Sequence, residues 1–405
     1  MAEQSGVYFD ALETRSADQR AAAQLEALNA LLKRVSESDG SCLVSGRLAD
    51  LSDLATLPVL RKSDLVAWQA EKPPFGGMAV QNVAHIFQSP GPIYEPGGVS
   101  HDWWRMGRFL HAAGIGPDDI VQNCFGYHLT PAGMIFESGA RAVGAAVLPA
   151  GVGQTELQVR AAKDVGTTAY AGTPDYLKVI LDKAEEMGAT LGITRAVVGG
   201  GALFPSLRAE YADQGIACLQ CYATADLGNI AYEVPNPEGG LPEGMIVDEG
   251  VIVEIVRPGT GDPVPVGEVG EVVVTSLNPD YPLIRFATGD LSAVLPGASA
   301  CGRTNMRIKG WMGRADQTTK IKGMFVRPEQ VAEFVAKHPE IVKARVIASR
   351  EGEQDVMVVQ VEAAEAGDYA QSIVETLKLK GAVEVVAPGS LPNDGKVIDD
   401  QRSYD

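Results

Sequence analysis

RFATGDL, residues 285–291, and GRADQTTKIKGMFVRPEQVAEF, residues 313–334, are the two strings on which the reading of this chain turns. The first ends an apolar run in a Thr-Gly-Asp turn. Glycine gives the tight turn its freedom, and Asp290 is left as an acceptor carboxylate at its end. A carboxylate so placed can take hydrogen bonds from two neighbouring hydroxyls, as in a ribose diol. Alone the turn is common, and an Asp in it is usually only a turn former. Its weight comes from what surrounds it.

Upstream, residues 17–35 are Ala/Leu-rich with helical spacing, and LPVLRKSDLVAWQ reads as a turn into a short helix with Ser63 as N-cap. From 83 to 230 short apolar strands alternate with helices. VAHIF precedes the Pro/Gly-rich QSPGPIYEPGG (88–98), and a helix over 101–113 places Trp103, Met106, Leu110 and Ala113 on one face, with Gly114 as its stop. DIVQNCF, AAVLPA, TTAYAG, RAVVGGG and IACLQCY continue the strand series. Such alternation implies a mainly parallel sheet covered on both faces. Residues 245–295 turn β-rich, with hairpin-like connections through RPGTGDPVPVGEVG. Beyond 316 the order is strand 319–323, helix 328–337, strands 342–348 and 355–362, helix 368–379 and strand 382–387. The fold expectation is α/β. A large N-terminal domain (1–315) carries mainly parallel sheets under helices plus the β-rich segment, and a small mobile C-terminal α+β domain (317–405) follows a boundary at Asp316.

The chain has 405 residues, 45% of them hydrophobic, enough to bury a large core and more than one ordinary domain needs. A formal net charge of −18 argues against nucleic acid or an anionic membrane as partner. The opening MAEQSGVYFDALETRSADQ has no basic segment followed by an apolar one, and no apolar run approaches membrane-spanning length. Five scattered cysteines (Cys42, Cys124, Cys218, Cys221, Cys301) suit a reducing cytoplasm, the expected location.

Two further strings, LQCYATADLG (219–228) and GSLPNDGKVIDDQR (389–402), complete a set with the opening pair. In this order and spacing the set resembles the adenylate-forming enzymes, in particular the phenylacetate–CoA ligase group with its coenzyme F390 synthetase-like members. FDALE, LPVLRKSDL, IGPDDIVQNCFGYHLTPAG and AVGAAVLPAGVGQTELQVRAAKDVGTTAYAGTPDYL extend the resemblance over nearly the whole chain. It implies an AMP-forming ligase. A carboxylic acid, expected to be aromatic, attacks the α-phosphate of ATP to give an acyl-adenylate, and CoA then displaces AMP. Charge develops at phosphorus and at the carbonyl, so cations and donors are wanted rather than a protein nucleophile.

By this resemblance Asp290 holds the ribose hydroxyls and Arg314 assists at ribose or phosphate. Asp316 is the hinge, and Lys396 is the lysine that reaches the site during adenylation. Gly199, Gly200 and Gly201 match the adenine-side loop, where glycine allows close backbone approach, although a tight β-to-α turn accounts for them equally well. Tyr222 would stack on adenine, and Asp226 would be the catalytic-side carboxylate that holds Mg²⁺. Phe125, Tyr127 and His128 align with the substrate-side aromatic segment. The implied partners are a small carboxylic acid, ATP or AMP, and CoA, and the resemblance allows a homodimer.

Three departures concern the phosphates. The family's loop at 88–98 is rich in Ser, Thr and Gly and carries a lysine; here Pro90, Pro92 and Pro96 cannot donate N–H bonds, and Glu95 would repel phosphate. These prolines are expected to stiffen it into an extended turn, and it is assigned no phosphate-binding residue. YATAD puts Ala225 and Asp226 where a hydroxyl residue and Glu are usual, and RFATGDL has Phe286 and Ala287 where Tyr and Arg are common. CxxC at 218–221 falls in an expected buried strand and reads as structural; Ser299 stands where some relatives carry a cysteine, so no zinc is expected. Two alternatives stay open: a relative that does not use ATP, and a catalytically silent ligand-binding protein.

Overall fold

The computed structural model describes residues 7–37, 46–89, 92–315, 317–322, 324–351, 354–365 and 367–402. Cys42, Pro90 and the expected hinge Asp316 lie outside the described residues. The chain divides into two compact units. Met1–Val253, Val274–Phe286 and Leu295–Gly310 form the first; Glu254–Val273, Ala287–Val294 and Trp311–Asp405 form the second. The β-rich segment expected at 245–295 is therefore shared between them. No helix among the described residues is long and apolar enough to cross a membrane.

The first unit is built on a parallel sheet, in the order Ala146–Leu148, Ile120–Asn123, Ala169–Gly172, Arg195–Val198 and Ala217–Thr224. Gly228–Tyr232, Met245–Val247 and Arg307–Ile308 continue it antiparallel. Helices Ala132–Ala142, Thr155–Val165, Pro174–Glu186 and Pro205–Asp213 connect the parallel strands. The strands are buried on both faces because such crossovers cover both faces, and their sequences are accordingly runs of Ala, Val and Tyr. Tyr170, Leu177, Ile193, Val198 and Tyr211 form part of this core. Parallel strands bring their carboxyl ends to one edge, where open α/β sheets bind ligands. Phe125, Gly199–Gly201 and Asp226 all follow such strand ends.

Three local expectations are corrected. QSPGPIYEPGG is not an extended turn between a strand and a helix but belongs to an antiparallel pair of strands, His85–Ser89 and Ile93–Gly97, with Phe87 opposite Glu95 and Ser89 opposite Ile93. Period-two alternation turns Phe87, Ser89, Ile93 and Glu95 inward and leaves Ile86 and Tyr94 outward. Glycine is required at 98, where any Cβ would strike the Trp103 indole. The helix expected over 101–113 is confined to Gly107–Ala112. Asp102 and Arg105 adopt positive φ, and the Asp102 carboxylate accepts from the Met106 and Gly107 amides at 2.9 Å each, so the helix begins after them. The short helix downstream of LPVL spans Lys62–Glu71 with Arg61, not Ser63, as N-cap; the Asp64 carboxylate accepts from the Arg61 amide at 2.9 Å.

The second unit carries a four-stranded sheet in the order Ala382–Val386, Gln354–Ala363, Ile341–Glu351, Ile398–Asp400. Helices Pro328–Ala336 and Ala370–Leu377 pack on it through Val331, Phe334, Ile373 and Leu377, against Val346, Val359 and Val361. A smaller cluster of Val269, Leu291, Ala293 and Ala315 belongs to the same unit.

Candidate active site

In the first unit, the strand Ala217–Thr224 leads into the turn that holds Asp226, which is 3% exposed. Helix Lys62–Glu71 places its first residue against that turn: Lys62 Nζ lies 2.9 Å from Asp226 Oδ2. The same helix holds the 85–97 hairpin. Gln69 donates to the Tyr94 carbonyl and accepts from the Tyr94 amide, both at 2.8 Å, as a neighbouring strand would. On the inner face of the hairpin Glu95 is 1% exposed and accepts a hydrogen bond from the Ser89 hydroxyl. Burial, and next the negative charge of Asp226, push the Glu95 carboxyl up to about 7, with Ser89 and Lys62 acting the other way. Glu95 thus lies on the buried face of the hairpin.

Three buried oxygens here have no hydrogen-bond partner among the described residues: Glu95 Oε2, Asp226 Oδ1 and the Tyr281 hydroxyl. Among the described residues no three His, Cys, Asp or Glu side chains converge as a metal cage. A Mg²⁺ ion ordinarily takes one or two carboxylates and completes its shell with water and substrate phosphate, and the free Asp226 oxygen fits that use.

Further along the same edge, the left-handed Gly200 (φ +69°) follows strand Arg195–Val198, and a Cβ built there would lie 3.7 Å from the Phe125 ring. Phe125 is buried and stacks on Phe136 at 4.2 Å between ring centroids. The Gly201 carbonyl accepts from Gln220 Nε2 at 2.8 Å. Tyr222 is buried in its strand. The Tyr127 hydroxyl accepts from Asn123 Nδ2 at 2.8 Å, and burial pushes its phenol well up. His128 is exposed and is not brought to the Phe125 stack. Cys218 and Cys221 lie buried in their strand as expected, and burial raises both thiols, Cys218 to about 12.

In the second unit, Asp290 stands 7% exposed in a strand that turns at left-handed Gly289 (φ +72°). Arg314 Nη1 lies 2.8 Å from Asp290 Oδ1, and the Trp311 indole N–H donates to the same oxygen at 3.1 Å. A Cβ at 289 would come within 2.6 Å of the Arg314 guanidinium, so glycine lets the arginine lie over the turn. Thr288 Oγ1 accepts from the Asp290 amide at 3.1 Å. Lys396 and Arg314 line one cleft of about 300 Å³ with Gln317, Asp394 and Asp399. There Lys396 Nζ rests 2.7 Å from Asp399 Oδ1, a contact that pulls the Asp399 carboxyl down. The Gln317 side chain accepts from the Ile398 amide at 2.8 Å and donates to the Gly395 carbonyl at 3.0 Å, clasping the lysine loop on both sides.

The residues sequence reasoning missed are Lys62, Glu95 as an inward group, Trp311 and Gln317. Lys62 stood in a recognised segment, but nothing along the chain pairs position 62 with 226. Trp311 was within reach: an aromatic three residues before Arg314 lies beside the same turn.

The family model described as "AMP-binding enzyme" matches residues 111–278. The chain is 31% identical over 331 residues to a phenylacetate-coenzyme A ligase of Thermus thermophilus, covering 78% of this chain and 73% of the relative. To the enzyme of that name from Aromatoleum evansii it is 30% identical over 379 residues, covering 87% and 84%. An open conformation of 2-hydroxyisobutyryl-CoA ligase, in complex with 2-HIB-AMP and CoA, superposes with a TM-score of 0.72 at 22% identity, covering 97% and 93%, and shows the same fold. None of these relatives favours a chain that does without ATP or one that only binds ligand. The chain belongs to the phenylacetate–CoA ligase group of the adenylate-forming enzymes, which are AMP-forming carboxylate–CoA ligases.

Proposed function

We propose that this chain activates an aromatic carboxylic acid with ATP and transfers the acyl group to CoA. The observation that carries the reading is the Phe125–Phe136 stack beside Gly200, at the carboxyl edge of the parallel sheet. A flat, apolar wall next to a glycine turn suits an aryl group lying against backbone. The names of the relatives agree with an arylacetic acid.

In the first step a carboxylate oxygen of the acid attacks the α-phosphorus and the bond to the β-phosphate breaks, releasing pyrophosphate. In the second the CoA sulfur attacks the acyl carbon, the bond to AMP breaks and the thiol proton leaves to solvent. Lys62 supplies positive charge near Asp226 for the oxygens that gain it. Asp290, oriented by Trp311 and Arg314, accepts from the ribose hydroxyls, and Lys396 provides the mobile ammonium of adenylation. Mg²⁺, held through Asp226, would neutralise phosphate charge. Gly199–Gly201 and Tyr222 flank the adenine, while Tyr127 and His128 lie further out on the acyl side. Asp316 is the proposed backbone pivot between the two steps, with 1–315 and 317–405 as the moving parts.

Purified protein with ATP, Mg²⁺ and a panel of aryl and alkyl acids is expected to catalyse ATP–pyrophosphate exchange, strongest with an arylacetic or aryl acid. No exchange with any acid overturns the ligase reading, and exchange restricted to short alkyl acids overturns the aromatic one.

A further inference from the structure

The sheet of the second unit holds a buried cation that no role described so far uses. Along strand Ile341–Glu351, Ala344, Val346 and Ala348 face the core beneath the two helices. Period-two alternation turns Arg345 to the other face, where a charged side chain would ordinarily lie in water. Arg345 is instead 4% exposed. What it meets there is the lysine loop. Its Nε donates to the Lys396 carbonyl at 3.0 Å, and its Nη2 donates to Asp394 Oδ1. The same Asp394 oxygen accepts from the Lys396 amide at 3.0 Å. Both polar backbone groups of residue 396 therefore end on one ion pair. Anchoring strand Ile398–Asp400 does not require this arrangement, since that strand is already paired with Val346–Ala348 through its backbone. Burying a guanidinium is unfavourable unless its charge and donors are met. Here they are met by the residue that carries the lysine and by an acid two places before it.

We propose that Arg345 is a positioning residue for adenylation: paired with Asp394, it fixes the backbone from which Lys396 reaches the developing charge. Holding both the amide and the carbonyl of residue 396 sets the direction of its Cα–Cβ bond. The torsions of the side chain stay free, and the half-exposed ammonium rests on Asp399 until it is drawn away. An arm with a fixed root loses less freedom on reaching its target than one whose backbone must be ordered as well. Gripping a carbonyl and a carboxylate at once is a property of the arginine fork that a lysine at 345 would not reproduce. The inference rests on the reading of Lys396 as the adenylation lysine and deepens it by naming what holds that lysine in place.

The test is a double-mutant cycle on the full chain, with adenylation and thioester formation measured separately in single turnovers. The acid is whichever gives the fastest pyrophosphate exchange with the unaltered chain. Arg345→Met, which keeps an unbranched stem and loses the fork, is expected to slow adenylation about a hundredfold, the loss that a displacement of about 1 Å can produce. Thioester formation from the preformed acyl-adenylate should be unchanged. Added to Lys396→Ala, the same substitution should cost adenylation nothing further, because a residue that acts only through Lys396 then has nothing left to position. Circular dichroism checks that each variant is folded; should Arg345→Met fail to fold, Asp394→Ala, on the more open side of the pair, gives the same cycle. Normal adenylation in the folded variant, equal loss in both half-reactions, or a further loss on top of Lys396→Ala overturns the proposal. Slow adenylation in Lys396→Ala with none in Arg345→Met sinks only the positioning role, whereas normal adenylation in Lys396→Ala alone sinks the reading of the lysine itself.

Discussion

The two candidate clusters differ in how they hold their charges. Around Asp226 the carboxylates are buried and the elements are held by packing, hairpin against helix, with the half-exposed Lys62 of that helix against the Asp226 carboxylate. Around Asp290 the carboxylate is buried, but its partner Arg314 is open to water, with its side chain 56% exposed, and Lys396, paired with Asp399, is 50% exposed. The first arrangement sets geometry before any ligand arrives. The second leaves long side chains free to be drawn onto one, as surface ion pairs contribute little by themselves. The difference separates preorganised charge from recruitable charge.

Lys396→Ala is the sharpest way to break this division. Adenylation should fall by about 10²- to 10³-fold, the loss typical of removing one charge-stabilising donor, while thioester formation from a preformed acyl-adenylate stays unchanged. Equal loss in both half-reactions, read by single-turnover assays, would place Lys396 outside the recruited set. Lys62→Ala tests the preorganised side. It should slow adenylation about a hundredfold and also lower stability by about 1–3 kcal/mol, because Asp226 loses the ammonium that donates to it while staying buried. A urea melt that does not move would show that packing around Asp226 is looser than the distances imply.

Asp102→Ala touches neither cluster directly and should cost about 0.5–2 kcal/mol through the two amides it caps, with exchange kinetics intact. The smallest expected signal is a null one. Burial pushes Cys124 and Cys218 up to about 12 and Cys221 up as well, so at pH 8 all three remain thiols and resist an aromatic disulfide reagent until denaturant is added. Fast labelling of any of them in the native chain would contradict a closed sheet core.

The parallel sheet was legible because its signal is local and repeated: strand, glycine or proline punctuation, helix, four times over before the fifth strand. The C-terminal unit was legible for the same reason, and its strands and helices fall close to where periodicity puts them. The 88–98 segment was not. Proline and glycine there suggested an interrupted loop, whereas Pro96 sits on a two-stranded ribbon where its missing N–H costs nothing to a neighbour, and the glycines make room for tryptophans. Site chemistry split along the same line. Asp290 and Arg314 sit in short motifs whose spacing carries their pairing, but Lys62 and Asp226 are 164 residues apart, and only the fold joins them.

The clasp between Gln69 and Tyr94 has a consequence for how this sequence can drift. Both of its hydrogen bonds go to the backbone of residue 94, so the side chain at 94 is free to vary while the amide at 69 is not. A change at 69 would untie the hairpin from the helix that begins at Lys62, and would move two charged groups through a residue that carries no charge itself. Tolerance to substitution in this region is therefore set by a neutral glutamine as much as by the acids and the lysine around it.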